Sequence, residues 1–352
     1  MSFGELISLY SSGELIINPK YQRYFRWEIS QKTKFIESIL LGIPIPPIFI
    51  YTTSGRKWEL VDGLQRVATL LEFVGILKDP DDSSGTRTRP STVLEATNLL
   101  PSLHNKRWEE SSEGANDGLT EGQQRDIKRS RVRVEILKKE SDPLAKYELF
   151  QRLNTGGSVL SEQEVRSCVI IMISERFHEW ISQLAAFDPF VLTIDQTERA
   201  EKRQRPLEYV IRWLAFRNHP YRNALDVHEY LDAAALQMAS NKNFKTNDEE
   251  LVFKSTFTFL NDALEDAAFK KWDGSKFLGP SSLAAYEVIG FGVSLFIDEY
   301  SELEPARRND LLARRIKSLS DNGLFRDNSK AGVRGSTRLS NLLPFARTFF
   351  KP

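Results

Sequence analysis

Cysteine is almost absent from this chain. One residue, Cys168, in 352 excludes an internal disulfide framework and a cysteine-ligated zinc cluster. Histidine is nearly as scarce: His104, His178, His219 and His228 are scattered, and no metal-ligand spacing joins them. Net charge is missing too. The 48 lysines and arginines cancel the 48 aspartates and glutamates, so bulk charge does not recruit nucleic acid, and a DNA-binding role needs a local basic patch. No apolar stretch reaches the roughly 18 residues a membrane span requires; the longest, around Ile36 to Ile50, is interrupted by Pro44, Pro46 and Pro47. Met1 to Glu5 lacks the basic-then-apolar order of a secretion signal, so the expectation is a soluble, cytoplasmic protein without a membrane partner. There is no internal repeat, Walker A pattern, dinucleotide fingerprint or HNH-type histidine cluster.

What is present is an ordinary apolar content with 22 Phe and 6 Trp, enough for two well-filled cores. The most informative stretch is Val61 to Leu70. An apolar run leads into Asp62-Gly63, then a Gln65-Arg66 pair, then helix formers, the order of a strand, a tight polar turn and a helix start. Gly63 lets the backbone approach a ligand closely, and the free N–H groups of a new helix favour an anion. Arg66 adds a planar fork of donors suited to phosphate. Three roles stay open for Asp62: holding a metal, orienting a water, or pairing with Arg66. By spacing alone the stretch is also compatible with an ordinary turn.

Around this turn the patterning predicts a helix over Phe3 to Tyr10, a strand at Leu15 to Ile17, a helix capped by Ser30 and ended by Gly42, and strands at Ile48 to Tyr51 and Lys57 to Val61 joined by a Ser54-Gly55 turn. A helix to about Gly75 follows. Between Lys78 and Gly118 the texture turns polar and rich in glycine and serine, which predicts a mobile insertion near 78–118. A strand at Val132 to Leu137, a helix from Pro143 to Leu153, and a capping box at Ser161 and Glu164 come next. Beyond Cys168, itself read as a core residue, nearly everything has helical spacing: Leu207 to Phe216, Leu225 to Met238, Glu249 to Leu264, Leu283 to Tyr300 and Pro305 to Leu319. The tail, 326–347, is the most basic local segment.

Two further segments have the chemistry of a site, though each taken alone fits a structural role better. Tyr21-Gln22-Arg23-Tyr24 precedes the first long helix, and Asn154-Thr155-Gly156-Gly157 follows a helical run as a helix end would. Glu121 to Arg125 imitates the central motif superficially, but it lacks a preceding strand and reads as a solvated helix face.

In order and spacing these segments resemble the ParB/sulfiredoxin-like "DGQQR" domain found at the N-terminus of GmrSD-type modification-dependent restriction enzymes and in stand-alone relatives. The resemblance rests on Gln22-Arg23 with Trp27, Gly42-Ile43-Pro44-Ile45-Pro46, Asp62-Gly63-Leu64-Gln65-Arg66, Phe150 to Gly156, and Glu164 with Arg166. It covers about the first half of the chain. Leu64 stands where the family has its first glutamine, and Tyr24 where proline is common. The resemblance implies an α+β ParB/sulfiredoxin-like domain over residues 1–160, followed by a mostly α-helical domain over 161–352 with the basic tail.

It also implies a nucleoside triphosphate site, with Mg2+ as an accompanying ion, that controls DNA restriction in prokaryotic anti-phage defence. Asp62, Gln65 and Arg66 would be catalytic. Gln22, Arg23, Gly63, Thr69, Asn154, Thr155 and Gly156 would bind nucleotide. The implied partners are DNA or a separate nuclease or defence-system subunit, with self-association left open. Nothing offers the His and Asn constellation of an HNH nuclease, so DNA cutting by this chain alone is not expected. Two rival readings remain. One is a non-enzymatic DNA-binding or adaptor protein using Arg129, Arg131, Arg133 and the tail residues Arg326, Lys330, Arg334 and Arg338. The other is a ParB-like metal-dependent nuclease built on Asp62.

Overall fold

The computed structural model describes residues 1–17, 27–52, 55–82, 86–137, 161–197, 204–221 and 225–352. The chain divides into two units, Met1–Ser158 and Val159–Pro352. The first is α/β with a mixed sheet and the second is mostly helical, the fold class the sequence predicts.

In the first unit, Ser2 and Glu5 form a capping box that starts α1 (Phe3–Ser11), whose buried face carries Phe3, Leu6 and Tyr10. Strand β1 (Leu15–Ile16) follows. Helix α2 (Ile29–Leu40) begins one residue ahead of the expected Ser30 cap. Glu28 occupies the cap and donates its N–H to Gln31 Oε1 at 3.1 Å. Gly42, at φ +66°, closes the helix in the left-handed conformation expected of a C-terminal glycine.

Strands β2 (Ile48–Thr52) and β3 (Trp58–Asp62) then pair antiparallel, with an irregularity between Phe49 and Ile50. Ser54 of the expected connecting turn lies outside the described residues. Helix α3 (Leu64–Val74) follows β3 directly, helix α4 is Glu121–Arg129, and the last strand is β4 (Val134–Leu137). The sheet order is β1-β3-β2-β4. β1 runs parallel to β3 and β4 parallel to β2, so every pair except β2–β3 is made by residues distant in sequence. Ile48, Ile50 and Leu60 face the same core as Ile36, Ile39, Leu70 and Phe73.

The polar 78–118 segment departs from its expectation. Leu94, Leu103 and Trp108 are core residues, and Trp108 meets Phe73 edge-on at 5.8 Å. Glu72 joins Lys32 to Thr92 in a buried network, with the Thr92 hydroxyl donating at 2.7 Å. Apolar residues spaced irregularly among serines and glycines carry no periodic signal, yet each one anchors a loop.

The second unit packs α5 (Glu162–Ile173), α6 (Glu175–Ala185), α7 (Asp188–Ile194), α8 (Arg205–Asn218), α9 (Val227–Ser240) and α10 (Thr246–Leu264). A two-stranded hairpin, β5 (Lys271–Trp272) with β6 (Phe277–Leu278), precedes α11 (Leu283–Ser294), α12 (Ile297–Ser301), α13 (Pro305–Leu319), α14 (Gly323–Asn328) and α15 (Gly335–Phe349). The run expected as one helix from Leu283 to Tyr300 is two, broken at Leu295 and Phe296.

The basic tail contains an amphipathic helix. Leu339, Leu342, Leu343 and Ala346 recur at three- and four-residue spacing and bury one face of α15. Gly292 of α11 receives that helix: a Cβ there would stand 2.9 Å from Ala346 O and 2.5 Å from Phe350. At the centre Trp213 packs edge-on against Phe253 and donates its indole N–H to Gly290 O at 3.0 Å. Cys168 is buried as expected, and burial pushes its thiol pKa up.

Candidate functional site

Strand β3 ends at Asp62, Gly63 turns the chain, and α3 starts at Leu64, so the sequence expectation of strand, turn and helix is met. Gly63 takes the left-handed conformation at φ +96°, and a Cβ there would meet Ile48 Cγ2 at 2.6 Å. Only glycine tolerates both the dihedral and the contact. Among the described residues no side chain caps the N–H groups of α3, and the Asp62 carboxylate beside Gly63 is the charge nearest that positive end.

Arg66, one turn into α3, folds back over this end. Its Nη2 donates to Asp62 Oδ2 at 3.0 Å and to the carbonyl of Pro47 at 3.1 Å. One guanidinium thus ties the end of β3 to the entry of β2. Its Nε, by contrast, is buried and has no hydrogen-bond partner among the described residues. The Arg66 side chain is 15% exposed and that of Asp62 is 25% exposed. Burial raises the Asp62 carboxyl above its ordinary pKa, and the Arg66 charge opposes that shift. Of the three roles left open for Asp62, pairing with Arg66 is the one seen.

Gln65 accepts a hydrogen bond at 3.1 Å from the backbone N–H of Trp27, which packs edge-on to Phe35 of α2. This anchors the chain just after the Gln22-Arg23 segment to the start of α3. Gln22 and Arg23 themselves lie outside the described residues, as do Asn154, Thr155 and Gly156. Thr69 corrects its expectation. It is 0% exposed, with an unpartnered hydroxyl, on the inner face of α3, so it is a core position.

Sequence reasoning missed the Pro47 carbonyl and the Trp27 amide. Both are backbone groups, and the only signal for them was the proximity of Pro46-Pro47 and Trp27 to recognisable elements. Among the described residues no group of three or more His, Cys, Asp or Glu is placed to hold a metal ion.

The other expected contacts sort clearly. Arg338 is committed internally: its guanidinium donates to both carboxylate oxygens of buried Glu287, at 2.7 and 3.2 Å. Lys330 pairs with Asp327 at 2.8 Å and Arg133 with Glu135 at 2.5 Å. Arg129, Arg131, Arg326 and Arg334 are exposed. In the second unit Glu164 completes the capping box with Ser161, and Arg166 donates to Asp232 Oδ1 and Gln163 Oε1, both at 2.6 Å. Glu121 to Arg125 forms the first half of α4, capped by Thr120, a polar helix as expected.

The sheet and turn define an α/β domain that presents an arginine and an uncapped helix end at a glycine turn. Residues 3–171, just under half of the chain, match the family model described as the GmrSD restriction endonuclease N-terminal domain. This part of the chain is similar to that family, in agreement with the resemblance seen in its motifs. No curated protein and no solved structure matches the chain. No helix among the described residues is long and apolar enough to cross a membrane.

Proposed function

We propose that this chain is a component of a prokaryotic DNA restriction system whose first unit binds a nucleoside triphosphate, and hydrolyses it, at the Asp62–Arg66 turn. The supporting observation is the Arg66 guanidinium: it sits at an uncapped helix end beside a glycine turn and keeps a buried Nε–H without a partner. A buried donor left unmade costs about 1–3 kcal/mol, a cost that a phosphate oxygen would remove. The residues therefore fit an anion. A phosphate chain with Mg2+ would supply the electrophile. Arg66 would neutralise its charge, the amino end of α3 would donate N–H groups, and Gly63 would permit close approach. Asp62, released as the guanidinium turns to the phosphates, would orient the attacking water. Gln65 holds the Trp27 backbone at the start of α3. Nucleotide state would then set how the second unit meets DNA or a nuclease subunit.

Titration of the full chain with ATP, GTP and CTP plus Mg2+, following binding and phosphate release, tests this reading. Binding of one nucleotide that Arg66→Ala abolishes is the expected result. Absence of binding to all three would leave the turn structural. The exposed Arg129 and Arg131 favour the second reading, a DNA adaptor, whose signature is affinity that falls steeply with salt and ignores nucleotide.

A further inference from the structure

The second unit contains a cavity of about 440 Å3 between the hairpin, α11, α13 and α14. Its floor is apolar: Phe269, Ile289, Ile316, Leu319 and Phe325 line it, each no more than 9% exposed, so they face a recess rather than open surface. The charged residues around it are all of one sign. Lys270, Lys271, Arg326 and Lys330 line it, and no aspartate or glutamate does. Two of the four are already held by carboxylates outside the cavity, Lys270 by Asp195 and Asp266 and Lys330 by Asp327. Lys271 and Arg326 are exposed and have no ion pair or side-chain hydrogen bond among the described residues.

The lining hydroxyls are few and largely spent. Ser320 accepts from the Trp272 N–H at 3.2 Å, and Ser282 caps α11 through the Ala285 N–H. No amide or carboxylate reaches in to read the edge of a nucleobase, which argues against an extruded base as the occupant. The volume lies in the range of small-molecule sites, whose apolar walls take the body of a ligand while a few polar groups fix its end.

We propose that this cavity binds a small anionic amphiphile, a molecule with an aliphatic or aromatic body and one terminal carboxylate or phosphate. The body fills the recess over Ile289 and Ile316, and the anionic end is held by Lys271 and Arg326. The site is separate from the Asp62–Arg66 turn and does not depend on the reading given to it. It also gives Arg326 a role other than contact with a DNA backbone.

The test is calorimetric titration of the full chain with decanoate, decanol and inorganic phosphate, each against wild type and a Lys271→Glu/Arg326→Glu double variant. Both substituted residues are exposed, so the variant should retain the wild-type melting temperature. Decanoate is expected to saturate one site. Decanol, which lacks the charge, and phosphate, which lacks the body, should each bind at least about tenfold more weakly, a difference of about 1.4 kcal/mol. The double variant should lose at least about tenfold in decanoate affinity. No saturable heat with decanoate would overturn the proposal. So would decanol or phosphate binding as tightly as decanoate, or a double variant that keeps wild-type affinity.

Discussion

Arg66 in the first unit and Arg212 in the second are both largely buried arginines beside a carboxylate four residues away on the chain, and they are satisfied very differently. Arg212 donates through Nε and Nη2 to Glu208, and through Nη1 to Glu287, so each nitrogen has a partner. Arg338 closes the other side of Glu287. Arg66 commits only Nη2 and leaves Nε–H unmade. Arg166 also keeps one unpartnered nitrogen, but its side chain is 1% exposed and no ligand can reach it. Orphan donors mark a site only where solvent has access; where carboxylates surround the guanidinium, the arginine is scaffold. This contrast separates residues that a motif list would treat alike.

The contrast can be broken in four places. The largest effect is expected at Glu287. Glu287→Ala removes the carboxylate that Arg338 holds and one of the two that Arg212 holds, and should cost about 3–5 kcal/mol in urea unfolding. Nucleotide binding by the fraction that remains folded should not change. A loss of less than about 1 kcal/mol would show that these arginines reach water by rearranging.

Gly63→Ala comes next. The left-handed dihedral and the Ile48 contact should together cost about 1–3 kcal/mol, with nucleotide affinity falling as the turn opens. Unchanged unfolding would mean that the turn has a second conformation.

Arg66→Ala should cost no more than about 1 kcal/mol of stability, because the pair is partly solvated. It should nonetheless remove nucleotide binding, and Arg66→Lys should fail to restore it for want of the planar fork. Rescue by lysine would reduce the site to a point charge.

The smallest effect concerns pH. The Asp62 carboxyl is raised by burial from its usual 3.8. Its contribution to stability is therefore fully present below that unfolded value and is lost as pH rises through the higher folded value. Asp62→Asn should flatten that slope and, by freeing Arg66, leave phosphate binding intact or tighter. Wild-type and variant unfolding curves that stay parallel across the acid range would remove this account.

How far the sequence could be read depended on whether a feature was local. The Asp62-Gly63 turn, the Gly42 helix end and the Ser161 capping box were visible because each is written within four residues. The order β1-β3-β2-β4 was not, because four short strands reveal no register until they meet. The 78–118 segment hid Leu94 and Trp108 among polar residues, and the tail hid the α15 stripe behind its arginines. The pairing of Arg338 was hidden for a related reason: its partner, Glu287, lies 51 residues away. Composition reports that a charge exists, whereas only the fold says what has already claimed it.

The edge of the first unit also sets a timetable. The backbone N–H of Phe3 bonds the Ser130 carbonyl, and Ser2 bridges to Arg131. The opening helix therefore cannot dock until residues near 130 have left the ribosome. At roughly 5–20 residues per second that wait is on the order of ten seconds. Until then the core that holds Phe3, Leu6 and Tyr10 lacks Ile127 and Val132, so this short stretch stays incompletely covered while the rest of its core is already made.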